Sequence, residues 1–321
     1  MKNKTNIEQR THKIVIVGSG KVGTTFAYAL LLNGLVGEIV LIDIDKERTD
    51  GEVMDLNHAV PLTNPVQIYQ GDYSDCAGAE VIVITAGTAQ RAGETRLDLF
   101  KRNTAIFKQI VPQVVKYNQN AILLVATNPV DILSYVTQKV AGLPSAQVIG
   151  SGTILDTSRF RWLLSQHFNL DARNVHAYII GEHGDSEVAV WSLANIAGMP
   201  LEVYCQAIGC QLPLDQREKI GSQVRNAAYE IISRKGATFY AVAAGLVRIV
   251  ESILRNQNSV LSVSNRVPGY YGIEDVYLSL PAIIGENGVE SILPLPLNEK
   301  EEVDLVKSAN ILKDILKQLE I

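Results

Sequence analysis

The feature that most limits the fold is an alternation. Apolar runs of strand length, KIVIVG, EIVLIDID, EVIVITAG and AILLVATN, alternate with longer stretches of helical periodicity, VGTTFAYALLLN, LDLFKRNTAIFKQIVPQVVKYN and VDILSYVTQKVAG. Strand, helix, strand in succession is the pattern of crossover units, which lay down a doubly wound parallel sheet. After Gly150 the pattern changes to an amphipathic helix in TILDTSRFRWLLSQHF, a strand in VHAYII and a long helix from about Pro213 to Ser233. A further helix in TFYAVAAGLVRIVESIL, short strands and a last helix in EVDLVKSANILKDILKQL follow. We therefore expect an α/β chain with a parallel-sheet domain over residues 13–150 and a mixed α+β domain over 151–321. The first dozen residues, MKNKTNIEQRTH, are polar and aperiodic and read as a loose arm. No repeat or glycine-rich linker separates the two parts, so they should pack directly and share a cleft.

A chain of 321 residues with 47% hydrophobic content can bury the core this architecture needs. Its net charge of −5 supplies no basic field for a nucleic acid, although local arginines can still hold a small anion. Cys76, Cys205 and Cys210 lack metal-ligand spacing, and no charged-then-apolar leader or long uncharged span is seen. The expectation is a reduced, soluble, cytoplasmic protein with no membrane partner.

Between the first strand and the first helix, VIVGSGKVGTTFAYAL supplies Gly18, Gly20 and Gly23, with Lys21 and Val22 among them. Glycines here permit a tight turn and let a pyrophosphate approach the helix N-terminus closely. Asp43 ends the second strand about 20 residues later, where a carboxylate accepts both ribose hydroxyls of an adenosine and repels a 2′-phosphate. The pattern is that of a Rossmann-type dinucleotide site and favours NAD over NADP; the competing reading is an ordinary strand-to-helix turn with Asp43 as a strand-end cap. Ala86 and Gly87 end the strand EVIVITAG, and Asn128 ends AILLVATN, so all three should face the same crevice. Asn-Pro is also a common turn.

Three further clusters carry charge. In TILDTSRFRWLL, Asp156 and Arg159 are three apart and share a helix face, whereas Arg161 points elsewhere. The loop TAGTAQRAGETRLDLFKRN, punctuated by Gly87 and Gly93, carries Gln90, Arg91 and Arg96 before the next helix, which suits a lid over a bound ligand and equally a floppy connection. In IIGEHGDSEV, His183 stands between an acid and a glycine; a catalytic acid, a metal ligand and a turn residue are all open. Neither Glu182, Asp185 nor any nearby cysteine or histidine completes a convincing ligand set, so no metal is expected.

Together GSGKVG, AQRAGETRLDLFKRN, ATNPVD, GSGTILDTSRFR, IIGEHGDSE and GATFYAVA resemble the L-lactate/malate dehydrogenases, and within them the bacterial L-lactate dehydrogenase branch. The resemblance runs from about Lys13 to the C-terminus. It implies NAD as cofactor, pyruvate and L-lactate as substrates and a homotetramer. It implies that His183 gives and takes the proton, that Asp156 orients it and that Arg159 anchors the substrate carboxylate. It further implies that Arg96 polarises the ketone from a closing loop, that Asn128 lies on the cofactor side of the site, that Thr238 lines the substrate pocket and that Gln90 reads the C3 group. Arg161 and His176 match residues that bind fructose 1,6-bisphosphate across a subunit interface in the allosteric members; without the resemblance they read as a surface ion pair and a strand residue. Ala92 departs from the family, where proline is usual. The chemistry is coherent without the name, since reducing a 2-keto acid needs a proton donor for oxygen and a bidentate cation for the carboxylate.

Malate dehydrogenases are the main competitor, and they typically carry an arginine at the position of the neutral Gln90. A cofactor-dependent glycosidase on a related fold would need a metal site. A non-catalytic NAD-binding protein has no need of His183, Arg159 and Arg96 together, and all three are present.

Overall fold

The computed structural model describes residues 12–89 and 93–319. The expected N-terminal arm, His12 apart, lies outside these residues, as do Gln90, Arg91 and Ala92. Six strands, β1 (Lys13–Val17), β2 (Glu38–Ile42), β3 (Gln67–Gln70), β4 (Val81–Ile84), β5 (Ile122–Val125) and β6 (Val148–Gly150), pair in parallel in the order β6-β5-β4-β1-β2-β3. The connecting helices are α1 (Lys21–Asn33), α2 (Lys46–Ala59), α3 (Arg96–Tyr117) and α4 (Val130–Ala141).

Successive side chains of a strand point to opposite faces, and here both faces are covered. Ile14 and Ile16 of β1 pack with Phe26 and Leu30 of α1 in one apolar cluster, whereas Val15 and Val17 pack with Phe107 and Val111 of α3 in another. That double burial is why these strands read as continuous apolar runs. The chain leaves β1 toward β2 and β3 and returns on the other side as β4, so the strand order reverses between β1 and β4. Ligands of open α/β sheets bind at the carboxyl ends of strands at such a switch point.

The second half continues with α5 (Ile154–Phe168), the short strands β7 (Val175–His176), β8 (Ile179–Ile180), β9 (Val188–Ala189), β10 (Asn195–Ile196) and β11 (Met199–Pro200), then α6 (Leu201–Ile208), α7 (Leu214–Lys235) and α8 (Tyr240–Leu254). It ends with β12 (Ser259–Pro268), β13 (Glu274–Gly285), β14 (Gly288–Ile292) and α9 (Glu299–Gln318). Two expectations change. VHAYII is not one strand: β7 pairs with β10, and β8 pairs with β9 in a different sheet. The strands expected to be short include β12 and β13, ten and twelve residues long. Ser264 of β12 pairs with Gly150 of β6, so β12, β13 and β14 extend the central sheet to nine strands and cover its edge. The two halves are therefore joined through one sheet.

Candidate active site

The first region lies at the switch point. Gly18 has φ +114, and a Cβ there would stand 2.4 Å from the Ala86 backbone nitrogen; one on Gly23 would stand 2.0 Å from the Gly18 carbonyl oxygen. Only glycine lets α1 and the end of β4 approach the turn this closely. A Cβ on Gly20 would meet nothing within 4 Å, so the N-terminus of α1 opens onto free space. No side chain caps that helix end, and its unpaired N–H groups suit a phosphate. Asp43 accepts the Ser19 N–H at 2.7 Å and the Asp45 N–H at 3.0 Å, which outweigh its partial burial and hold the carboxyl below its usual range. It is thus ionised where a ribose would lie.

A cavity of about 840 Å³ runs along this edge, lined by Gly18, Gly20, Asp43, Thr85, Ala86 and Gly87 among others. The glycine cradle, the uncapped helix and the ionised Asp43 fit an NAD molecule. Lys21 and Val22 sit in the first turn of α1, with Lys21 exposed. Arg48, which the sequence did not single out, donates to Asp43 at 3.1 Å. Asn128 is exposed at the end of β5, and its carbonyl oxygen accepts from the Asn103 amide at 2.9 Å.

The second region is built by α5 and the β8–β9 turn. The Ile179 carbonyl accepts from the Thr153 hydroxyl at 2.6 Å and the Ser262 hydroxyl at 2.8 Å, while the Ile179 N–H donates to Thr157 at 3.0 Å. These bonds clamp the start of α5 to β8. Asp156 then faces His183, and the imidazole Nδ1 lies 2.5 Å from Asp156 Oδ2. The other oxygen, Oδ1, accepts from Arg159 at 2.7 Å, the helical spacing of three placing the pair on one face. Asp156 is 2% exposed, so both cations share one buried carboxylate.

Burial opposes charging His183, but the Asp156 carboxylate outweighs it, and Asp131 adds to the effect against Arg159; the imidazole is lifted to about 9. With Nδ1–H directed at Asp156, Nε2 carries the second proton. The His183 N–H also donates to Asp131 at 2.8 Å. Burial pushes the Asp131 carboxyl up to about 7, against the opposing hydrogen bonds from the Ser264 hydroxyl and the His183 backbone N–H. Burial, reinforced by nearby Asp156, likewise lifts Glu187 to about 8.

Asp131 and Glu187 were missed by the sequence reading. The signal for Asp131 was a lone charge in the apolar helix VDILSYV, which is buried over its first turns; Glu187 had none, since its neighbours come from other elements.

Arg96 is not brought to the His183 pair. It donates to Asp185 at 2.7 Å, and Asp185 also accepts from Tyr229 of α7 at 3.0 Å. Thr238 is half-buried between α7 and α8; among the described residues neither it nor Asn128 has a side-chain hydrogen bond to His183 or Asp156. Arg161 donates to the Ala177 carbonyl at 2.9 Å and lies over the Tyr178 ring, 5.3 Å from its centre. It makes no ion pair among the described residues, and the carbonyl it holds is next to His176, which is exposed on β7. No group of three or more metal-ligating side chains occurs among the described residues, and no helix there is long and apolar enough to cross a membrane.

A dinucleotide cradle at the switch point, together with a charged histidine and an arginine on one buried aspartate, defines an NAD-dependent oxidoreductase. The family models for the lactate/malate dehydrogenase NAD binding domain and alpha/beta C-terminal domain match residues 12–150 and 153–320. The chain belongs to the lactate/malate dehydrogenase family. It is 60% identical over 310 residues to an L-lactate dehydrogenase of Acetivibrio thermocellus, covering 96% of this chain and 98% of that one. It is 53% identical to L-lactate dehydrogenase 1 of Clostridium acetobutylicum, with 96% and 98% covered. Among solved structures, a lactate dehydrogenase from a deep-sea metagenome of the Medee basin superposes with a TM-score of 0.93 at 48% identity, covering 97% of this chain and all 100% of that one. The minor L-lactate dehydrogenase of Enterococcus mundtii gives a TM-score of 0.93 at 42% identity, with 96% and 98% covered.

Proposed function

We propose that the protein interconverts pyruvate and L-lactate with NAD, and that the shared carboxylate of Asp156 is the observation that carries the assignment of roles. Bound NADH supplies the hydride for the substrate carbon. At neutral pH His183 is an imidazolium whose Nδ1–H is held by Asp156, so the proton on Nε2 is the one delivered to the ketone oxygen. In the reverse direction the neutral imidazole takes the hydroxyl proton back. Arg159 commits one N–H to Asp156, and its remaining donors form the fork that grips the substrate carboxylate. Arg96 has to leave Asp185 to polarise the carbonyl as the loop closes and excludes water. Asn128 lies on the cofactor side, Thr238 lines the substrate pocket, and Gln90 is the residue that reads the substrate's C3 group. Gly18, Gly20, Lys21, Val22, Gly23, Asp43, Ala86 and Gly87 hold the cofactor, and residues 13–150 and 151–321 are the two domains, a division supported by the break between the two family matches.

The same reading includes a homotetramer activated by fructose 1,6-bisphosphate. Arg161, without an ion pair among the described residues and bonded to the carbonyl next to the exposed His176, supports it: two copies meeting about a dyad would gather cations that a bisphosphate neutralises. Initial rates of NADH oxidation with pyruvate, oxaloacetate and phenylpyruvate test the assignment, and pyruvate is expected to be preferred. A rate with pyruvate no better than buffer, in protein that binds NADH, would refute it.

A further inference from the structure

Helix α6 ends in a left-handed turn at Gly209, with φ +69. The Cys210 N–H donates to the Cys205 carbonyl at 2.9 Å, and the Gly209 N–H reaches the same oxygen. A bond from the second residue past the helix back across six residues is the Schellman closure, and it brings the side chains at its two ends together. That contact is commonly apolar; here both positions are cysteine. The two thiols interact side chain to side chain. Cys205 is 9% exposed in the cluster with Phe160, Leu164 and Leu212, and Cys210 packs half-buried on its rim. The turn is held from outside as well, since Gln211 lends its carbonyl to His167 of α5 at 3.1 Å.

We propose that Cys205 and Cys210 form a dithiol that a low-molecular-weight disulfide converts to an intrachain disulfide closing the C-terminal turn of α6. The half-buried Cys210 reacts first: its thiolate attacks one sulfur of the reagent, forms a mixed disulfide and expels one reagent thiolate. Cys205 then gives up its proton, and its thiolate attacks the Cys210 sulfur, expelling the second reagent thiol. Two protein thiols are oxidised and one reagent disulfide is reduced to two thiols, so no other electron acceptor is needed. Burial, with the Cys210 thiol beside it, holds Cys205 at about 11, so closure accelerates as pH rises. Cys76 does not compete, being fully buried with its thiol pushed up to about 12.

The experiment is glutathione disulfide added to the folded, full-length protein, with acid quenching, intact mass and peptide mapping over time and pH. The native protein should lose two hydrogens, retain no glutathione and yield a Cys205–Cys210 cross-linked peptide, faster at higher pH. Cys205→Ala should accumulate one glutathione on Cys210, whereas Cys210→Ser should stay unmodified over the same interval. Retained NADH-linked activity in both reduced variants shows that they are folded. A stable single glutathione adduct on the native protein, adducts on both cysteines, or native protein that stays unchanged would each overturn the proposal.

Discussion

Replacing Asp156 with Asn keeps the shape of the site and removes the charge that His183 reads. In the native protein that carboxylate, 2.5 Å from Nδ1, lifts the imidazole to about 9 against a burial penalty that would otherwise lower it. Without it the penalty remains, so His183 falls to its ordinary 6.5 or below. At about 1.4 kcal/mol per pH unit, the imidazolium loses about 3 kcal/mol of stabilisation or more. At about pH 7.5 the protonated fraction drops from nearly all to about a tenth or less. Protonation alone therefore lowers kcat/KM for pyruvate about tenfold, and loss of the oriented Nδ1–H should bring the total to about 10²–10³-fold. The assay is the pH profile of NADH oxidation at subsaturating pyruvate. The native profile should stay flat and fall only as pH rises through about 9, because the donor is a raised base whose proton is lost there. In Asp156→Asn the falling limb should move below 6.5, so that acidification recovers most of the tenfold share. An alkaline limb that stays near 9 in the variant would show that Asp156 does not set the proton affinity of His183.

Four further outcomes are expected. His183→Gln should lower turnover by about 10²–10⁴ in both directions while NADH binding is unchanged by fluorescence titration, since general acid–base assistance is lost and the cradle is not touched. Gly23→Ala places a methyl 2.0 Å from a backbone oxygen, so the turn must shift; with overpacking of this kind costing about 1–3 kcal/mol, the NADH dissociation constant should rise about 5- to 150-fold. Gln90→Arg should raise the oxaloacetate-to-pyruvate ratio of kcat/KM, because a second carboxylate is costly to desolvate without a cation, and an unchanged ratio removes Gln90 from the C3 contact. Pyruvate saturation should sharpen to several-fold lower half-saturation with fructose 1,6-bisphosphate, and Arg161→Gln with His176→Gln should abolish the difference, consistent with a coupling of about 1–3 kcal/mol.

The parallel half of the fold was legible from sequence because β1, β2, β4 and β5 are buried on both faces, which leaves uninterrupted apolar runs flanked by helical periodicity. Strand β3, QIYQ, lies at the sheet edge and is largely polar, and β6 has three residues; neither has a pattern long enough to stand out. Helix α2, KERTDGEVMDLNHA, buries few residues and so lacks a strong apolar stripe. The division of VHAYII depends on which strands its two ends pair with, and those partners lie later in the chain. By itself the sequence determined the glycine turn after the first strand, and the helical spacing that puts Asp156 and Arg159 on one face, since both are local consequences of φ freedom and of 3.6 residues per turn. Only the tertiary structure decided that Asp156 meets His183, 27 residues away, that Asp131 and Glu187 stand in the same buried field, and that Arg96 rests on Asp185. Charge interactions act through space and strengthen with burial, and neither distance nor burial is a property of adjacent residues.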